Sequence, residues 1–382
     1  FNPSDGRMIK LTQEELSTVL GCCDGLSADV YQMLFTASDG SVILGSDEAA
    51  HLRYQVRKAL DQTTNTQIMD SLGSVFNKLC PHPALREISE ELEDTAAEDM
   101  YDAIIRADSA VTKYNDSPSA ELGGLSPNQV SNLIYSEWES RQYPVKFNKK
   151  LCFEDVKQAP LFHNCLALMN ELISSDQKTA TARGNLSRKM VSALMNSFII
   201  RSEMIKQVLQ INKVVNESYV VPILNTRIIS QQAGLIRADK SNFIVTRKGI
   251  NLLKPENAGQ LYHLLFMTNF RKFNLGFTDR LPDFEDLQGS LGYTFVQLER
   301  TAQNQVQLEK TYRKIILPGV FEDIKVFAHN FIRPHWIIIQ RVIKPLEYAG
   351  LLECKRDETE PFQPIVSFKI TELFKKFFFF DF

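Results

Sequence analysis

The chain has 382 residues, 44% hydrophobic and 23% charged, with a formal net charge of −3; this is globular composition, too long for one typical domain and not that of a disordered chain. No apolar run approaches the roughly 20 residues that span a bilayer, no signal-peptide pattern follows Phe1, and six scattered cysteines without a CxxC pair point to free thiols in a reducing cytoplasm. The near-neutral total hides a bipolar layout: residues 1–121 hold 9 Lys/Arg against 21 Asp/Glu, and residues 178–254 hold 13 against 3, which predicts a polyanionic partner for the basic part and names no reaction.

Residues 1–83 read as a small acidic α/β domain. Met8–Leu11 and Ser41–Leu44 are strand candidates. Thr12 is an N-cap followed by Glu14 and Glu15, Ser46 opens a helix carrying Leu52, Val56 and Leu60, and Thr66–Leu79 is amphipathic until Pro81-His82-Pro83. Residues 84–121 form an acidic helix and linker ending in Asn115-Asp116-Ser117-Pro118-Ser119. This stretch reads as a solvated helix and hinge, or as an acidic arm that folds back on the basic half.

Residues 122–254 form a basic domain. Helices are expected from Ser126-Pro127 through Trp138, over Pro160–Ile173 and over Leu186–Phe198, with a short strand over residues 178–182 and a turn at Gly184-Asn185. Val220–Ala233 is a helix stopped by Gly234. Leu235–Arg237, a polar turn and Phe243–Val245 then describe a winged helix. Residues 255–382 repeat this logic: Gln260–Lys272, Gln288–Ala302 and Gln307–Leu317 are helical, His335–Tyr348 stops at Gly350, and two strands follow. The predicted class is mainly α (α+β), a small N-terminal α/β domain followed by two winged-helix-like domains. The aromatic end, Phe374 to Phe382, reads as a core-packed terminus or as a docking patch.

Catalytic motifs are absent: there is no HExxH, Walker A, GxGxxG or GxSxG pattern, and no cofactor or metal site is expected. Candidate nucleic-acid contacts are Arg183, Arg188 and Lys189 at a helix start, where free N–H groups and positive charge suit a phosphate. Thr226, Arg227, Ser230, Gln231 and Gln232 lie on the expected recognition helix, with residue types that read base edges. Arg247 and Lys248 at the foot of the wing are placed to meet backbone phosphate.

The stretches "ELGGLSPNQVSNLIY" (121–135), "APLFHNCLALMNEL" (159–172), "TATARGNLSRKMV" (179–191), "QQAGLIRADKSNFIVTRKGINLL" (231–253) and "FRKFNLGFTDRLPDFEDLQGSLGYTF" (270–295) resemble a family of uncharacterised bacterial proteins with no assigned activity. The resemblance covers about residues 121–382 and implies a defence or mobile-element setting. The expected function is non-enzymatic contact with DNA or RNA by the basic winged helix. The alternative is a scaffold whose winged helices contact a protein partner or a second copy of the chain.

Overall fold

The computed structural model describes residues 7–23, 25–37, 40–44, 46–79, 109–176, 179–279, 281–328, 333–360 and 362–382. The protein is mainly helical, with small antiparallel sheets, and divides into two units between Ser117 and Pro118. Most of the acidic 84–121 segment lies outside the described residues, as does the Pro81-His82-Pro83 break.

The first unit pairs β1 (Arg7–Lys10) with β2 (Ser41–Leu44) in antiparallel register, Ile9 opposite Val42. Four helices cover this ribbon: α1 (Gln13–Cys22), α2 (Ala28–Thr36), α3 (Ser46–Gln62) and α4 (Thr66–Leu79). Two strands alone bury too little, so the helices complete the core with Val19, Val30, Leu52, Val56, Leu72 and Val75. Thr12 and Glu15 form a capping box at the start of α1. Glu15 is buried, and accepts hydrogen bonds from Ser74 (2.6 Å) and Lys78 (2.7 Å) on α4. Burial alone would raise its pKa; the bonds from Lys78, Ser74 and Thr12 hold it below the ordinary carboxylate value.

The second unit is built on one continuous hydrophobic core running from Leu125 to Phe378, so residues 122–254 and 255–382 share their interior. Its elements fall into two similar runs. In the first, α5 (Pro160–Ser174) is followed by Thr179-Ala180, α6 (Arg188–Ser197), α7 (Ser202–Ile211), α8 (Val221–Gln232) and the hairpin β3 (Ile236–Asp239)–β4 (Asn242–Val245). The short helix α9 (Arg247–Leu252) and the long α10 (Ala258–Arg271) follow.

The second run places α11 (Leu291–Thr301), β5 (Val306–Gln307), α12 (Pro318–Ala328), a long interrupted helix, and the hairpin β6 (Leu352–Arg356)–β7 (Ile365–Ile370), with β5 on the outer edge of β7. The interrupted helix is α at Pro334–Ile338, π at Ile339–Ile343 and α again at Lys344–Tyr348. Pro345 explains the interruption, because it has no N–H to offer the Arg341 carbonyl and the turn widens around it. The sequence expectation of helix over Gln307–Leu317 holds only for Leu308–Thr311. Helix α7 carries no sequence-level expectation.

The terminal phenylalanines are structural. Phe374, Phe377 and Phe378 are buried, and Phe378–Phe380 pairs antiparallel with Val145–Phe147. Phe377 stacks edge-on against Phe266 (4.8 Å) and Tyr262 (4.9 Å), which gives the core its aromatic centre.

Candidate nucleic-acid interface

The basic stretch is assembled by backbone hydrogen bonds. The Ala180 N–H donates to the Ser241 carbonyl (3.0 Å), and the Thr179 N–H to Asn242 Oδ1 (3.0 Å). The Phe243 N–H donates to Thr179 Oγ1 (2.7 Å). Ser187 returns to the same point through the Thr179 carbonyl (2.8 Å), and Gly184 turns the chain at φ +73°. The loop bearing Arg183 is therefore fastened to the tip of the β3–β4 hairpin, where exposed Lys240 sits at φ +54°.

Helix α6 starts at Ser187, whose hydroxyl caps the Met190 N–H (3.3 Å). Arg188 and Lys189 occupy its first turn, both exposed, and Arg188 Nε also donates to Asn216 Oδ1 (3.1 Å). Arg247 and Lys248 open α9 at the other end of the hairpin. Both are exposed, and Lys248 Nζ also caps the end of α8 by donating to the Ala233 carbonyl (2.9 Å).

Helix α8 departs from the sequence expectation. It packs between α5 and α10, and three of its five candidate residues face inward. Thr226 is fully buried, donating to the Pro222 carbonyl (2.6 Å) and meeting the Tyr348 hydroxyl (2.5 Å). Ser230 is fully buried against the Cys165 thiol (3.4 Å), and burial pushes that thiol up to about 12, so it is an inert core group. Arg227 pairs with buried Glu217, donates to Gln231 Oε1, and lies over the Phe243 ring at 5.4 Å. Glu217 also accepts from the Leu186 N–H (2.7 Å), which ties α8 to the basic loop. Of the five, Gln232 alone has an exposed side chain and Gln231 is half-buried. The physical reason is shape: a helix flanked by two others turns the face that carries Thr226, Arg227 and Ser230 inward.

A signal for this inversion was present in the chain. Aligned on Gly234 and Gly350, Thr226, Arg227 and Ser230 stand where the second run has Val342, Ile343 and Leu346, all fully buried. Comparing the two runs with each other identifies these positions as core.

Among the described residues no three His, Cys, Asp or Glu side chains group to hold a metal ion, and no helix is long and apolar enough to cross a membrane. Residues 157–260 match the model of the Y4jL N-terminal domain family, so the similarity covers α5 through the start of α10. No curated protein and no solved structure matches the chain.

Proposed function

We propose that this protein is a non-enzymatic binding protein of the cytoplasm that holds DNA or RNA by its phosphates, through a winged-helix unit within residues 157–260. The order helix, helix, helix, hairpin supports the winged-helix reading, as do the bonds from residues 179–180 to the hairpin; the strand expected over 178–182 is reduced to an isolated bridge between Ala180 and Leu186. The observation that carries the proposal is the fastening of the Arg183–Lys189 loop to the hairpin tip at Ser241. It gathers Arg183, Arg188, Lys189 and Lys240 from two distant segments. Contact is sequence-independent in this reading, because the inward-facing residues of α8 leave no row of base-reading side chains. An electrophoretic shift series on the full chain with single- and double-stranded DNA and RNA tests it. Binding is expected at low salt and falls as salt rises. Absence of binding at low salt overturns the proposal.

A second reading is an interaction scaffold. Its support is α7, an amphipathic helix with no buried residue, on which Leu209 is 55% and Ile211 81% exposed.

A further inference from the structure

The second run holds a two-lobed cleft that the nucleic-acid reading does not use. Its inner lobe has a volume of about 220 Å³ and lies between the 272–276 turn, the 283–288 segment and Arg341. Its outer lobe, about 400 Å³, has Asp283, Phe284, Glu285, Asp286, Leu287, Val320 and Asp323 as its described lining, and among these described residues there is no Lys or Arg. The lobes share Asp283, Phe284, Glu285 and Leu287, and so adjoin along this segment.

Arg341 makes the inner lobe unusual. It stands on the π turn, and its side chain is only 4% exposed. Nε and Nη2 donate to the two carboxylate oxygens of Asp279 (2.7 and 2.9 Å), and Nη2 also to the Leu281 carbonyl (3.2 Å). The guanidinium lies over the Phe284 ring at 5.1 Å. Its other side closes on Gly276, where a Cβ would come within 2.5 Å of Nη2. Stacking and pairing thus hold the plane of the group while Nη1 donates to no described residue. Arginine stays charged at any ordinary pH, and a buried donor edge that borders a cavity is complementary to an oxygen anion entering that cavity.

The surrounding charge selects the kind of anion. Lys272 borders the inner lobe, but so do Asp283 and Glu285. A dianion such as phosphate would meet these carboxylates at close range, which like-charge repulsion disfavours. A monocarboxylate followed by a cation satisfies both ends: the anion reaches Arg341, and the cation reaches the outer lobe, where the charged residues among the described lining are acidic.

We propose that this cleft binds a small molecule with a carboxylate at one end and a cation at the other, in the class of the basic amino acids. The carboxylate sits on the Nη1 edge of Arg341, and the cationic side chain extends past Phe284 toward Glu285 and Asp286. This site is independent of the nucleic-acid reading, and the failure of either leaves the other standing.

Calorimetric titration of the full chain tests it with L-arginine and with agmatine, which has the same cation without the carboxylate. L-arginine is expected to give a saturable isotherm, and agmatine to bind roughly tenfold more weakly or worse, because it leaves the guanidinium edge unpaired. The double variant Glu285→Gln/Asp286→Asn, altered on exposed side chains, is expected to weaken L-arginine about fivefold or more and to keep the ligand-free Tm. No saturable binding of L-arginine overturns the proposal, as does equal binding of agmatine or an unaffected double variant. A peptide ending in arginine that binds where free L-arginine does not would give the cleft to a protein partner and also overturn it.

Discussion

The two helix–glycine–hairpin runs of the second unit share one backbone grammar and differ in what surrounds it. In the first run the Leu235 N–H donates to the Ser230 carbonyl, the Thr246 N–H to Leu235, and Thr246 Oγ1 to the Gly234 carbonyl (2.8 Å). In the second the Leu351 N–H donates to Leu346, the Thr371 N–H to Leu351, and Thr371 Oγ1 to Gly350 (2.8 Å). Gly234 (φ +72°) and Gly350 (φ +77°) end the helices in the same left-handed conformation. The helix interiors differ: an Arg227–Glu217 pair with Thr226 and Ser230 in one run, Val342, Ile343 and Leu346 in the other. Local hydrogen bonding therefore sets the shape of each module, and the packing environment sets the chemistry of its helix.

The sharpest way to break the comparison is through the ion pairs. Glu217→Ala leaves Arg227 charged in the core and strands the Leu186 N–H, so a loss of about 3–5 kcal/mol is expected. The second run's Glu347–Arg356 pair is more exposed (side chains 27% and 13%), and Glu347→Ala is expected to cost about 1 kcal/mol. Urea denaturation of both variants checks the ratio; equal losses would show that the interiors are energetically alike.

The glycines are the next test. Alanine at either position meets a strained φ, worth about 1–2 kcal/mol. At Gly350 the new Cβ would also lie 2.7 Å from that of Ala159, while at Gly234 nothing lies within 4 Å. Gly350→Ala is expected to destabilise by about 3 kcal/mol and Gly234→Ala by about 1 kcal/mol, read as Tm shifts of unequal size.

His263 on α10, the helix against α8, adds a pH test. Burial, with help from Lys149, pushes its imidazole down to about 4, against the opposing pull of Glu139. The unfolded chain therefore binds the extra proton first. This contribution to stability is full above about pH 6.5 and shrinks as pH falls toward 4, by about 3 kcal/mol. Thermal melts of His263→Gln are expected to lose that part of the acid dependence and to match the parent's remaining slope.

The smallest stability effect belongs to the basic rim. Arg183→Glu/Arg188→Glu/Lys189→Glu is expected to change stability by less than about 1 kcal/mol, because the side chains are exposed. It is expected to flatten the salt dependence of nucleic-acid binding by about 2–3 in logarithmic slope. Lys355→Glu, on the second run's hairpin, serves as the matched control and is expected to leave binding unchanged. Equal effects of the two would remove the first run's claim to the partner.

Much of this molecule was legible in its residues. Capping patterns placed the starts at Thr12 and Ser126, and glycines placed the helix ends at 234 and 350; the division into units between Ser117 and Pro118 falls within residues 115–119. These are properties of short stretches, where steric limits on φ and the need to satisfy terminal N–H groups act within a few residues. What only the tertiary structure decided was which partners each side chain meets. Val221–Gln232 carries polar residues on a side that α5 and α10 cover, so Arg227 became a core ion pair; Arg183 joined the hairpin tip through bonds spanning more than fifty residues; and Arg341, a cation on a largely apolar helix, borders a cavity formed with the distant 272–288 segment. Burial depends on all neighbours at once, and no local pattern along the chain encodes it.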